Sequence, residues 1–382
     1  MKEIPLYVHI PFCAKKCGYC DFFSIPQKSI SDDYVRALVK EISFFASEYK
    51  LYFKTVYVGG GTPSLLSESQ IEFLFRNIKP FFSQKIKEVT FEMNPESVTG
   101  EKLKVLEASG VNRISVGIQS LTQNALDFCG RKCSALTAEN ALKIISRVWK
   151  NKFSADAISG LPCQSDKEFL DSLKKIISYN PDHVSLYSLS LEEGTPLYKK
   201  FENGSYDYDG ADEQWIFGRD FLFKNGYFQY EVSNFSKPGF EGIHNSCYWA
   251  QEDYAGCGCG ATGTFYKERL RWTDTRNIEK YIKFWLSYDG KGRINTGEIP
   301  RETEILSIKD IEYEFLMMGL RTLKGLDSKV YEKKFGKSLK ERLEQSSVWN
   351  DFVREKKASV SEGCFSLNKD GILFLNKLLL SL

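Results

Sequence analysis

Apolar residues in the first half of the chain alternate between short strand-like runs and longer stretches with helical spacing. LYVHI (6–10) reads as a strand. Residues 31–49 read as an amphipathic helix, with Val35, Leu38, Val39, Ile42 and Phe45 on one face and Ser31 as the N-cap. TVYVGGG (55–61) is a second strand running into a glycine turn, and the helix after it opens with a Ser67–Gln70 capping box. The cycle repeats with strand 88–93 and helix 100–109, which stops at Gly110. Strand 113–118, helix 137–149, strand 154–159, helix 165–178 and strand 183–189 complete the series. Six strands separated by helices predict an α/β fold of parallel βα units. Periodicity alone leaves open whether they form a doubly wound sheet, a barrel or a partial barrel. In each, ligands gather at the carboxyl ends of the strands.

Beyond about residue 240 the pattern changes. Residues 244–265 are rich in glycine, cysteine and aromatics and read as loop and short strand, and 286–303 reads as a polar linker. Residues 304–382 predict a small, mostly helical domain with a short strand pair near ASVSEGCFSL and a closing helix. The expected organisation is a core over 1–240, a connecting segment over 241–303 and a C-terminal domain over 304–382.

Lys+Arg 52 against Asp+Glu 50 leaves a net charge of only +2, so no chain-wide field favours nucleic acid as a partner. The chain opens Met1-Lys2-Glu3-Ile4-Pro5 without a signal-peptide pattern. Its most membrane-like run, ILFLNKLLLSL, is broken by Asn376 and Lys377 and falls short of the roughly 20 residues a span needs. Ten cysteines in this setting point to a reducing cytoplasm, where clustered thiols serve metal binding or catalysis.

Three of them cluster as Cys13, Cys17 and Cys20, a C-x3-C-x2-C spacing directly after the first strand. Structural zinc wants a closed tetrahedral set, which three thiols within eight residues do not supply. His9 is the only neighbouring candidate for a fourth ligand, and it lies inside the strand. A [4Fe–4S] cluster held by three thiolates keeps one iron open for an exchangeable ligand, and S-adenosylmethionine (SAM) offers its amino and carboxylate groups. The spacing, with Tyr19 before the last cysteine, favours that open cluster over zinc or unliganded thiols.

The other chemical features fall at strand ends on the same face. Gly59–Gly61 remove every β-carbon from the turn after strand two, so backbone groups can approach a ligand such as the SAM amino group. A tight strand-to-helix turn is the plainer reading of an isolated triple glycine. Glu92 is placed to hydrogen-bond a ribose diol, and Arg131 to pair with a carboxylate. Gln119 and Asp156 are single residues whose shared face gives them weight.

YVHIPFCAKKCGYCDF, VYVGGGTPS, FEMNPE, GVNRISVGIQS, YSLSLEEGTPLY and YEVSNFSKPGFEGIHNSCYW together resemble the radical SAM superfamily. Within it they resemble the oxygen-independent coproporphyrinogen oxidase-like proteins, and more closely the HemW-type haem chaperone branch. The resemblance implies a partial TIM barrel of about six βα units with a small C-terminal domain. It implies a cluster on Cys13, Cys17 and Cys20, and SAM contacts from Tyr7, Gly60, Gly61, Thr62, Glu92, Gln119, Arg131 and Asp156, with Tyr19 at a second SAM position. It implies haem contacts from His244, Asn245, Tyr248 and Trp249 in an H-N-x-x-Y-W motif. Haem or another tetrapyrrole, a haem-acceptor protein and a second copy of the chain are the partners it brings.

Phe22 stands where true coproporphyrinogen dehydrogenases carry a fourth cysteine, so a haem chaperone is the expected function. A radical SAM enzyme acting on a tetrapyrrole and a zinc-bound scaffold are the alternatives. The family's usual L-G-R-x-H reads Cys129-Gly-Arg-Lys-Cys133, G-I-G-P-G-A-H reads GCGCGAT with Cys259 and Thr262, and GLPGQT reads GLPCQS with Cys163. Cys129, Cys133, Cys163, Cys247, Cys257 and Cys259 are expected to be small buried hydrophobes rather than a second metal or thiolate site.

Overall fold

The alternating pattern resolves into six parallel strands: β1 (Lys2–Ile10), β2 (Leu51–Gly60), β3 (Glu88–Met93), β4 (Arg113–Gln119), β5 (Lys152–Ser159) and β6 (His183–Ser188). The computed structural model of the chain describes residues 2–204, 211–288 and 296–382, so the stretch 289–295 of the expected linker lies outside the described residues. Past β6 the sheet turns antiparallel through β7 (Phe228–Gln229) and β8 (Asn234–Ser236), while β9 (Ala255–Cys257) adds a parallel strand beside β1. The order is β9-β1-β2-β3-β4-β5-β6-β8-β7, with its two ends unpaired to each other. This is the partial barrel, and it decides among the three arrangements that periodicity left open.

The helices are α1 (Asp32–Glu48), α2 (Glu68–Ile78), α3 (Gly100–Ala108), α4 (Gln123–Phe128), α5 (Ala135–Val148), α6 (Asp166–Ile177), α7 (Pro196–Glu202) and α8 (Ala211–Lys224). Ser31 caps α1 by accepting from Tyr34 N, and Ser67 with Gln70 closes the capping box of α2.

Side chains on a strand alternate between faces. Val89, Phe91 and Met93 of β3 point outward, where Phe91 meets Phe75 of α2 at a ring separation of 6.4 Å. The inner face is polar instead. Register places Tyr7 beside Tyr57, Glu92 beside Ser115, Gly117 beside Asp156, and Asp156 beside Ser185. The amino-end half of that face is covered by α9 (Ile243–Trp249), whose first two backbone N–H groups donate to the Glu88 carboxylate at 3.1 and 2.9 Å. Glu88 is in turn paired with buried Arg113 at 3.0 Å.

Two expectations are corrected. The core does not stop at residue 240, because the glycine-rich segment supplies β9 to the main sheet. The stretch 286–303 is not simply linker: α10 (Ile278–Ser287) reaches into it, and Arg301–Ile305 pairs with Leu270–Asp274 in a second, antiparallel sheet with Thr262–Phe265. RETEI reads as polar because it is an exposed edge strand, where charge discourages further pairing.

From α11 (Ile308–Leu320) onward the chain builds its own apolar core, including Leu316, Tyr331, Trp349, Phe365 and Leu378, with the expected strand pair at Ala358–Ser361 and Cys364–Leu367. It docks on the barrel through Val232 N to Arg321 O at 3.0 Å, Leu323 N to Tyr230 O at 3.1 Å and Gln251 Nε2 to Ile311 O at 2.7 Å. No described helix is long and apolar enough to cross a membrane.

Candidate functional site at the carboxyl end of the sheet

The cysteine loop leaves β1 and is pinned at several points. Gly61 N donates to Ile10 O, Gly18 N to Cys129 O and Leu197 N to Gly18 O, each at 2.8 Å. Cys13 is buried, Cys17 and Cys20 are partly exposed, and all ten cysteines are free. Burial raises the Cys20 thiol, and the charges of Cys17 and Cys13 push it the same way, so the three sulfurs are within electrostatic reach of one another. Among the described residues no three His, Cys, Asp or Glu side chains converge as a single bound metal ion would require. His9 is not drawn in as a fourth donor. Its ring nitrogens engage Tyr7 Oη at 2.8 Å and Phe23 O at 3.2 Å, and burial lowers its pKa to about 4.

The triple glycine is demanded first by the protein's own packing. A β-carbon on Gly60 would stand 2.6 Å from the His9 ring, and one on Gly61 would stand 2.6 Å from Phe12 O. Gly60 also has φ +118°, which favours glycine. Its N–H donates to Glu92 Oε2 at 3.1 Å, while Tyr57 Oη donates to Glu92 Oε1 at 2.6 Å. Glu92 is nonetheless pushed up to about 7, chiefly by burial and then by the neighbouring Asp156 charge, against the pull of those two donors. Burial likewise raises Asp156 to about 6, although Ser185 and Ser115 hydrogen-bond it and Arg131 lies nearby. Thr62 is buried and accepts from Asn94 Nδ2 at 3.2 Å.

Arg131 reaches the loop from the α4–α5 connection. One Nη donates to Tyr19 Oη at 3.2 Å and lies 3.8 Å from Cys17 Sγ, and the other donates to Gly117 O. Gln119, expected just past β4, is its last residue. It takes a left-handed φ of +66° where the register with β5 shifts, a strained conformation for a residue with a side chain. Gln119 Oε1 and Arg131 Nε are buried without a partner. Three thiols on one loop and two unpartnered polar atoms beside it make a donor set that fits an iron–sulfur cluster with a polar small-molecule ligand next to it.

The His244 motif adjoins this gathering from below: the His244 ring lies 5.3 Å from that of Tyr57, the donor to Glu92. Its helix α9 lies towards the other end of the inner face, where His244 Nδ1 meets Thr55 Oγ1 at 2.9 Å and Nε2 meets Tyr248 Oη at 2.8 Å. Burial drops its pKa to about 3. Asn245 lies on the same helix, and Trp249 sits under the Arg321 guanidinium at 5.2 Å.

Several residues that matter here carried no sequence signal. Tyr57 and Ser115 meet Glu92 and Asp156 only through strand register. GCGCG packs behind the cysteine loop: β-carbons on Gly258 and Gly260 would collide with the His9 carbonyl and the Phe23 ring. Glu41 of α1 anchors that segment by accepting from Gly258 N at 2.7 Å. Cys129, Cys133, Cys247, Cys257 and Cys259 are buried as expected. Cys163 is the exception, being exposed in a left-handed turn of φ +58° after β5, where the backbone turns the side chain out of the core.

The model of the Radical SAM superfamily matches residues 7–176, and that of the HemN C-terminal domain matches 306–374. The fold is that of coproporphyrinogen III oxidase (HemN) from Escherichia coli, with a TM-score of 0.81 at 21% identity over 99% of this chain and 90% of that one. The class is therefore a radical SAM protein, and a [4Fe–4S] cluster and SAM are the cofactors that class brings.

Heme chaperone HemW of Buchnera aphidicola (subsp. Schizaphis graminum) is 31% identical, covering 99% of this chain and 98% of its own. Heme chaperone HemW of Lactococcus lactis is 34% identical over 91% of each, and that of Escherichia coli K12 is 37% identical over 74% of this chain and 76% of its own. The chain belongs to the HemW family of radical SAM proteins.

Proposed function

We propose that this protein binds haem and passes it to acceptor proteins, with a [4Fe–4S] cluster held by Cys13, Cys17 and Cys20. In this reading Tyr7, Tyr19, Gly60, Gly61, Thr62, Glu92, Gln119, Arg131 and Asp156 line the SAM pocket. Residues 1–240, with the strand Ala255–Cys257 that the following segment adds to the sheet, are the radical SAM unit, and 304–382 are an accessory module. The free cysteines suit a reducing cytoplasm. The observation that carries the reading is the convergence of the thiol loop, the Gly60 turn, Glu92, Gln119 and Arg131 on one end of the sheet, in a chain that a HemW relative matches over 99% of its residues.

When bound, the cluster supplies an electron to the SAM sulfonium. The protein's own part is to orient. Arg131 sets a positive charge beside the Cys17 sulfur, Tyr57 and Gly60 fix the Glu92 carboxylate, and Gln119 and Arg131 keep polar atoms free for a ligand. The test is transfer: haem-loaded protein mixed with an apo-cytochrome should lose its Soret absorbance to the acceptor. Haem retained by the donor throughout rejects delivery.

A catalytic radical SAM enzyme is the second reading. It is favoured by two ionisable carboxyls, Glu92 and Asp156, with values near 7 and 6 on the open inner face, since such values suit proton transfer. Formation of 5′-deoxyadenosine under reducing, oxygen-free conditions supports it, and its absence with every tetrapyrrole tried removes it.

A further inference from the structure

Strand β2 turns Thr55, Tyr57 and Gly59 towards the inside of the barrel, two residues apart on one face. Together they form a continuous line of contacts. Thr55 Oγ1 meets His244 Nδ1 at 2.9 Å. The Tyr57 ring lies 5.3 Å from the His244 ring on one side and 6.3 Å from the Tyr7 ring on the other. Its hydroxyl donates to Glu92 Oε1 at 2.6 Å. A β-carbon on Gly59 would stand 2.9 Å from the Tyr57 ring and 3.0 Å from Glu92 Oε2, so this glycine leaves the space in which phenol and carboxylate meet. One side chain therefore separates His244, the candidate iron ligand, from Glu92, the candidate SAM contact.

His244 is only 1% exposed, and its other ring nitrogen meets Tyr248 Oη at 2.8 Å. The Tyr248 ring stands edge-on against it at 4.9 Å. A macrocycle reaches neither nitrogen while the imidazole stays seated between Thr55, Tyr57 and Tyr248. Binding a haem iron therefore draws the ring out of that seat. Tyr57 then loses one of the two rings that flank it, and with it the orientation in which its phenol serves Glu92.

We infer that haem and SAM bind in opposition, with Tyr57 as the positioning residue that links their sites. His244 in its seat holds Tyr57 on Glu92, and His244 on a haem iron lets it go. The inference rests on the haem reading above, with His244 as the iron ligand, and supplies that reading with a release signal. SAM favours the seated ring and so weakens the hold on the iron. Because both ligands act on one equilibrium, each weakens the other by the same factor.

The experiment uses the cluster-containing full chain, unreduced and protected from oxygen. Hemin is titrated by its Soret band with and without saturating SAM, and labelled SAM is measured by equilibrium dialysis with and without saturating hemin. Wild type should bind each ligand at least about fivefold more weakly in the presence of the other, by one factor in both directions. Tyr57→Phe keeps the ring and removes the donor to Glu92, so both ligands should still bind and should alter each other's affinity by less than about twofold. His244→Gln should lose about tenfold in hemin affinity, and its SAM binding should no longer respond to hemin. Circular dichroism and iron content verify the fold of both variants, and the wild-type titrations decide the sign of the coupling without either. Ligands that ignore or strengthen each other in wild type overturn the inference and leave the haem reading standing. Opposition that persists in Tyr57→Phe shows direct competition for one pocket, and hemin bound as tightly by His244→Gln as by wild type shows another iron ligand; each overturns the link. Wild type that takes up no hemin overturns both the inference and the haem reading.

Discussion

Glu92 meets three demands at once: a phenol at 2.6 Å, a glycine N–H at 3.1 Å and a second buried carboxyl within electrostatic reach. Its value of about 7 against an ordinary 4.5 means that the folded protein holds this proton more tightly than the unfolded chain does. The resulting stabilisation is complete below about pH 4.5 and is lost as the pH rises through about 7. Asp156, raised from 3.8 to about 6, adds a loss of the same sign over a lower window. In the cluster-free protein, urea unfolding should therefore show stability falling by about 4 kcal/mol between pH 5 and pH 8, and Glu92→Gln should remove more than half of that fall. A wild-type profile as flat as the variant's contradicts the assignment. At this scale the sequence was legible where types cluster locally, as in Cys13–Cys20. It was silent where pairing is set by register: nothing near Tyr57 announces that parallel strands bring it to a carboxylate 35 residues on.

The cysteine loop keeps its place because other elements yield to it. β1 feeds it, the Gly59–Gly61 turn and GCGCG give up their side chains to it, and Tyr34 of α1 donates to His9 O at 2.8 Å while accepting from Cys259 N. Gly258→Ala forces a methyl group onto the His9 carbonyl and should at least halve the iron and sulfide retained per chain. Gly204→Ala is the control: its φ is also positive, at +72° against +112°, but among the described residues nothing lies within 4 Å of the added carbon. Equal iron in the two variants means that GCGCG does not brace the loop. The six long strands and the helices α1, α2, α3, α5 and α6 were visible in the sequence because both periodicities run uninterrupted, whereas α4, α7 and α8 were not read. β7, β8 and β9 were not, being two or three residues long, and Arg301–Ile305 was hidden by its charge. The glycines of GCGCG looked like loop composition because a steric need shows only once the partner is in place.

Taken whole, the molecule is an open nine-stranded sheet with a thiol loop at its carboxyl rim, α9 across the inner face at the other end, and a helical module docked at the antiparallel edge. The alternation of strands and helices put the chemistry on one rim before any coordinates. The location of the His244 motif below that rim was not readable, because nothing in the short connection 237–242 from β8 says which end of the inner face α9 will cover. The partial barrel leaves its inner face reachable from the rim, as a cofactor-bound site requires. The central claim is that three thiolates hold a cluster with one iron open to SAM. Protein isolated without oxygen should contain about four iron and four sulfide per chain, and its reduced EPR spectrum should shift when SAM is added and lose that response in Arg131→Ala. Zinc in place of iron, or a spectrum that SAM leaves untouched, contradicts the account.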